Sequence, residues 1–141
     1  MSHRVVIDKK RVLGEGTFST VYAGTDEARQ REYAVKVYKR RRCNSFLVEH
    51  EALRQLRHAN IVPLVGVMIT KQMVAIVMGR CDTCLFDVVV LDGLRGCNEY
   101  LWDVACGLEH MHRRGFAHRD VKLENVLIHN GRAMLTDLGM A

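Results

Sequence analysis

Proline is nearly missing from this chain: Pro63 is the single example in 141 residues, and no Pro-, Gly- or Ser-rich stretch marks a linker. No internal repeat and no low-complexity segment is present, so neither a repeat architecture nor a disordered tail is expected. No apolar stretch follows Met1-Ser2-His3-Arg4, and no run approaches the roughly 18 apolar residues of a spanning helix, so neither a signal peptide nor a membrane span is predicted. Position 2 is Ser rather than Gly, which gives no indication of myristoylation. Cys81-x-x-Cys84 has no second close cysteine pair to match it. Cys97, Cys106, His110 and His112 could complete a zinc site, but the finger-type spacing is absent and a structural metal is not predicted. The five cysteines, an odd number without a secretory signal, point to free thiols in a reducing compartment, hence an intracellular, cytoplasmic or nuclear protein.

What the chain does have is an ordinary globular composition, 48% hydrophobic and 26% charged, enough for a sizeable core. Its net charge of +5 is local. Residues 1–42 hold 11 basic and 5 acidic side chains, and the remainder holds 10 against 11. The one dense run, Lys39-Arg40-Arg41-Arg42, reads first as a solvated loop and second as a nuclear-import signal. No nucleic-acid or membrane partner is expected from it.

Short β-branched and aromatic strands are predicted at Val5–Ile7, Val12-Leu13, Thr20–Ala23 and Tyr33–Tyr38. Between Ser45 and Arg57 the period changes: Phe46, Glu49, Leu53 and Leu56 recur at helical spacing. Strand-like composition returns at Ile61–Leu64, Val67–Thr70 and Met73–Met78, with Pro63 required at an edge or irregularity because it cannot donate to a ladder. Glu99–Arg114 predicts a helix with an apolar stripe of Leu101, Val104, Ala105, Leu108 and Met111, stopped at Gly115. Val126–Ile128 and Ala133–Thr136 flank Asn130-Gly131, a pair suited to a two-residue hairpin turn. Strands, helix, strands, helix and hairpin, in that order, suggest a segregated α+β fold.

Three groups of residues could carry chemistry. Gly14-Glu15-Gly16-Thr17-Phe18-Ser19-Thr20-Val21 lies between predicted strands, where two glycines let backbone N–H groups approach anionic oxygens; by itself such a segment is more often only a plain hairpin. Lys36, inside the apolar strand Ala34-Val35-Lys36-Val37, is either solvent-facing or turned inward to pair with Glu49 and grip phosphate oxygens. Asp120, Asn125 and Asp137 bring oxygen ligands from separate segments after a glycine-stopped helix, the sparse oxygen set that Mg²⁺ prefers, and Lys122 could lie beside a transferred phosphate.

These motifs, taken together and in order from Gly14 to Gly139, resemble those of the eukaryotic-type protein kinases, and the likeness covers nearly the whole chain. The resemblance implies a protein-kinase-like α+β fold: a small antiparallel β-sheet lobe with one helix over 1–78, a hinge at 79–81, and an incomplete helical lobe over 82–141. It implies ATP and Mg²⁺ as cofactors. Gly14, Glu15 and Gly16 would cover the phosphates, and Lys36, paired to Glu49, would bind the α/β-phosphates. Val21, Ala34 and Leu127 would sandwich adenine, with Met78 behind the pocket and Gly79, Arg80 and Cys81 along the hinge. Asp120 would accept or orient the substrate hydroxyl, while Asn125 and Asp137 would hold Mg²⁺. Leu53, Leu64, His118 and Leu138 would stack as a hydrophobic column. Lys122, two residues after Asp120, resembles the serine/threonine kinases, so the implied substrate is a Ser or Thr hydroxyl of a protein.

Departures from the family pattern are mild: Ser19 replaces a third glycine, Leu138 the usual Phe, and Leu123 a common Pro. Nothing after Ala141 supplies an activation segment or the helices that support the catalytic loop. The isolated chain is therefore expected to transfer phosphate poorly, with part of the Leu101–Met111 stripe exposed and open to a covering protein partner. A non-catalytic ATP-binding or protein-interaction module, a truncated kinase or pseudokinase, is the alternative.

Overall fold

The computed structural model describes residues 5–40 and 43–141. Met1-Ser2-His3-Arg4, and Arg41 and Arg42 of the basic run, lie outside the described residues. The chain forms two compact units, one built from the described residues up to Leu47 with Leu64–Arg80, the other from Val48–Pro63 with Cys81–Ala141.

In the first unit, β1 (Val6–Glu15), β2 (Ser19–Asp26), β3 (Arg31–Tyr38), β4 (Leu64–Ile69) and β5 (Val74–Gly79) make one five-stranded antiparallel sheet in the order β1-β2-β3-β5-β4. Val6-Ile7 of the expected Val5–Ile7 strand and Val12-Leu13, expected as separate strands, join in β1, whose register shifts on both sides of Val12. Such irregularity twists a strand without ending it. Alternation along β3 divides the sheet's two faces. Tyr33 and Val35 pack with Val5, Ala75 and Val77 into a buried cluster flanked by Ile7, Val37, Val65, Met68 and Met73. Ala34, Lys36 and Tyr38 face the other way, where the Tyr38 ring meets Phe46 edge-on at 5.4 Å. Gly24 is required by close approach: a Cβ there would stand 2.7 Å from Val35 Cγ2 and 2.9 Å from Val5 Cγ1.

Phe46 lies in α1 (Asn44–Gln55), whose later turns belong to the second unit and bury Glu49, Ala52 and Leu53. Ile61 and Val62, expected as strand, instead meet Leu135 outside any strand: Ile61 forms an isolated parallel bridge, and Val62 N–H donates to the Leu135 carbonyl at 2.9 Å. Pro63, lacking an N–H, precedes β4, consistent with the irregular position expected for it.

The second unit continues with β6 (Thr83–Cys84), α2 (Leu85–Asp92), α3 (Asn98–Arg113), a 3₁₀ turn at Leu123–Asn125, β7 (Val126–His129) and β8 (Arg132–Leu135). The sheet order is β6-β7-β8. Asn130 and Gly131, at φ 51° and 74°, close the expected β7–β8 hairpin. α3 ends at Gly115, φ 82°, with Gly115 N–H on the His112 carbonyl at 3.1 Å and Phe116 N–H on that of Met111 at 2.9 Å, a Schellman stop.

The face α3 buries overlaps the stripe expected from apolar spacing only at Met111, and Leu101 is exposed, as part of that stripe was expected to be. Asp103, Gly107 and Met111, four residues apart, are its buried positions, whereas Leu101 is 54% exposed. Asp103 turns inward because its carboxylate accepts Ala133 N–H at 3.0 Å and an Arg132 guanidinium N–H at 3.4 Å. Gly107 leaves room for the segment it presses on, since a Cβ would lie 2.7 Å from the Asn60 carbonyl oxygen. α2 was not expected at all: Val88-Val89-Val90-Leu91 has strand-like composition, and only Leu85 of the helix is fully buried.

Candidate active site

In the first unit, β1 and β2 deliver the glycine-rich hairpin. Gly14 pairs with Val21 and Glu15 with Thr20, and Gly16 N–H closes the turn on the Ser19 carbonyl at 2.9 Å. A Cβ on Gly14 would meet nothing within 4 Å, so glycine here keeps the strand end clear rather than relieving a packing clash. Ser19, standing where a third glycine was expected, is buried at 7% exposure and uses its carbonyl in that turn.

Lys36 lies on β3 directly opposite Val21 on one side and Ile76 on the other, while Ala34 sits between Ala23 and Met78. Val21, Ala34, Lys36 and Met78 therefore share one face of the sheet. Lys36 is 8% exposed, its Nζ 5.7 Å from the Tyr38 ring centroid, so the ammonium is inward and not a solvent-facing strand lysine. Gly79 closes β5 opposite Tyr33, and Arg80 pairs with Glu32 at 3.0 Å.

The second unit holds the rest. The Gly115 stop releases the chain from α3 into an irregular run fixed by the buried ring of His118. Its Nδ1 accepts Asp120 N–H at 3.1 Å and its Nε2 lies 2.8 Å from the Thr136 carbonyl, so the neutral tautomer with the proton on Nε2 satisfies both contacts. Asn125 is 7% exposed and donates Nδ2 to both the Asp120 carbonyl, 2.9 Å, and Asp120 Oδ2, 3.1 Å. Lys122 Nζ stands 3.9 Å from the same Oδ2. Thr136 N–H returns to the Asn125 carbonyl at 3.0 Å, which sets Asp137 next along the chain. Asp120, Lys122 and Asn125 are thus brought together, and Asp137 is anchored to them through the backbone.

Two of these residues depart from ordinary backbone geometry. Arg119 has φ 70° and Asp137 φ 61°, left-handed conformations that L side chains rarely adopt and that cluster at functional sites. Glu49, fully buried on α1, accepts Leu138 N–H at 2.6 Å. Leu127 on β7 pairs with Cys84 and Met134 and is half-buried. Burial, aided by the Asp82 charge, pushes the Cys81 thiol up to about 11, leaving it protonated at neutral pH.

The donor set suits a hard cation. With Nδ2 of Asn125 committed to Asp120, the amide presents Oδ1 as its remaining acceptor, and Asp137 adds a carboxylate; sparse oxygen ligation completed by phosphate and water is what Mg²⁺ takes. Sequence reasoning missed Asp103, which carries the hairpin of β7 and β8 against α3. The one available signal was a lone carboxylate four residues before a helical glycine, and many solvated helices share it.

The sequence matches the protein kinase domain family over residues 7–141. It is 36% identical over 144 aligned positions to a probable serine/threonine-protein kinase of Encephalitozoon cuniculi, covering 94% of this chain and 26% of that protein. It is 34% identical to serine/threonine-protein kinase H1 of Homo sapiens, covering 95% and 34%, and 34% identical to CBL-interacting serine/threonine-protein kinase 16 of Arabidopsis thaliana, covering 99% and 33%. The chain spans roughly a quarter to a third of the length of these relatives.

Proposed function

The chain belongs to the protein kinase family, with serine/threonine kinases as its relatives, and from that premise we propose that it binds MgATP and directs the γ-phosphoryl group to the hydroxyl of a Ser or Thr in a protein substrate. The observation that carries this reading is the Asp120–Asn125–Lys122 arrangement, fixed on both sides by His118 and Thr136. When bound, MgATP supplies the transferable phosphoryl group and the metal charge that offsets its oxygens.

The chain's own residues bind, orient and move a proton. In the first unit, the hairpin of Gly14, Glu15 and Gly16 covers the phosphates and offers them free backbone N–H groups at its tip, while Lys36 neutralises the α/β-phosphates. Val21, Ala34 and Met78 offer adenine an apolar face, and Gly79 offers it backbone polar atoms. In the second unit, Cys81 contributes backbone, Leu127 an apolar surface, and Asn125 and Asp137 the metal-facing oxygens. Glu49 holds the Asp137-Leu138 peptide by its bond to Leu138 N–H. Asp120 Oδ2, already accepting from Asn125, is oriented to receive the substrate hydroxyl's hydrogen bond and proton as the oxygen attacks. Lys122, half-exposed beside it, balances the charge on the phosphoryl oxygens.

The 141 residues alone transfer phosphate slowly in this reading, because Leu91, Leu94, Leu101 and Trp102 of α2, α3 and their connection are 54–80% exposed and want a covering surface. The same exposure favours the second reading, an interaction module whose partner covers those side chains. All five cysteines are free and no helix among the described residues is long and apolar enough to cross a membrane; an intracellular site, cytoplasmic or nuclear, is part of the proposal. The test is phosphate transfer to a Ser- or Thr-containing peptide. Asp120→Asn is expected to lower the rate by about 10²–10⁴-fold, the range of a lost general base. Equal rates for the two chains would refute the assignment.

A further inference from the structure

The glycine-rich hairpin is held by a residue that no motif assigns. Lys39, one position past β3, donates Nζ to the Gly16 carbonyl at 2.9 Å and stands 3.7 Å from Glu15 Oε1, while its backbone N–H bonds the Phe18 carbonyl at 2.8 Å. One residue thus touches Glu15, Gly16 and Phe18, by side chain and main chain together. Other support at the tip is thin: Phe18 is 60% exposed, Gly14 has open space beside it, and the β1 register shifts just below.

The ion pair itself contributes little, since both side chains are about half-exposed or more. The bond to the carbonyl matters differently. A trans peptide is planar, so turning the Gly16 carbonyl toward Lys39 turns the Thr17 N–H to the opposite side. An ammonium is also a stronger partner for that carbonyl than water, by virtue of its charge. We propose that Lys39 is a positioning residue: it fixes the Gly16–Thr17 peptide plane and thereby the direction in which the hairpin presents its Thr17 N–H to nucleotide phosphate. This rests on the nucleotide reading of the hairpin.

The experiment uses the full chain with Lys39→Met, which keeps an aliphatic stem, Lys39→Arg, which keeps the cation, and Lys36→Met as a reference. Amide hydrogen exchange over residues 15–19 is measured without nucleotide, MgATP affinity by equilibrium titration, and the unfolding midpoint as a check of the fold. Lys39→Met is expected to exchange faster over 15–19 and to raise the MgATP Kd about three- to tenfold, the scale of one half-exposed charge-assisted hydrogen bond. Lys39→Arg restores most of both, and Lys36→Met loses MgATP binding with normal exchange in the hairpin. Wild-type exchange in Lys39→Met overturns the inference, and so does faster exchange at unchanged Kd. A wild-type chain that takes up no MgATP overturns the nucleotide reading and the positioning role with it; the exchange data then separately report whether Lys39 anchors the turn.

Discussion

The carboxylate of Glu49 accepts the backbone N–H of Leu138 at 2.6 Å, joining residues 89 positions apart in the chain. Both are essentially solvent-free, Glu49 at 1% and Leu138 at 0% exposure. α1 is thereby tied to the peptide that follows Asp137. Replacing Glu49 by Ala leaves a buried N–H without its acceptor, a loss of about 1–3 kcal/mol. Glu49→Gln keeps a carbonyl oxygen and loses less. Urea unfolding of the two variants checks the order, and a Gln variant weaker than Ala would refute it.

Nucleotide should stabilise the chain by mass action, about 2.7 kcal/mol at a hundredfold excess of ligand over Kd. The rise in Tm with MgATP is expected to vanish in Lys36→Met and Asp137→Ala and to persist in Asp120→Asn, since the proposed partner of Asp120 is the hydroxyl rather than the nucleotide. Differential scanning fluorimetry reads all three. Retention of the shift in Lys36→Met would show that the ammonium does not grip phosphate.

Gly107→Ala should be among the most damaging single-atom additions in the chain. Its Cβ would lie 2.7 Å from the Asn60 carbonyl oxygen and 3.0 Å from Leu135 Cδ1, and a backbone oxygen that accepts Leu135 N–H at 2.9 Å cannot move without breaking that bond. Overpacking of this sort costs about 1–3 kcal/mol. Gly14→Ala, which meets nothing, is the control, and chemical denaturation of both variants measures the contrast.

Acid should weaken the fold through His110. Burial, then the neighbouring charge of His58, then Arg114 and Arg113 outweigh Glu109 and hold its imidazole below the usual value. Its ring lies 4.8 Å from that of His58, and its buried Nε2 has no hydrogen-bond partner among the described residues. A histidine whose folded value is depressed takes up its proton more readily when unfolded. Its contribution is complete above the ordinary imidazole range and declines as pH falls from there toward the lower folded value. His110→Phe, keeping a ring against His58, should flatten stability against pH in that window; an unchanged slope would assign the acid sensitivity elsewhere.

Long periodic or strongly alternating segments were legible in the sequence: β3, α1, α3 and the Asn130-Gly131 hairpin appear where their patterns put them. α2 was not, because a run of three valines and a leucine has no period and its helix rests on a capping glycine, Gly93. Of the buried face of α3, Met111 was legible and Asp103 and Gly107 were not, for a related reason. Apolar spacing selects the greasiest line of a helix, yet Asp103 and Gly107 are inside, one for a hydrogen bond and one for lack of volume. At the candidate site, the residue types of Asp120, Lys122 and Asn125 were readable from their spacing. The role of His118 as a two-sided hydrogen-bond post was not, since it depends on where Thr136 returns.

Arg119 and Asp137 each hold a left-handed backbone that glycine would occupy without steric penalty. Heat-driven laboratory evolution judged on survival alone would reward glycine at 119 and 137. The lineage best able to endure boiling would then be one that had discarded the aspartate to which we assign metal binding.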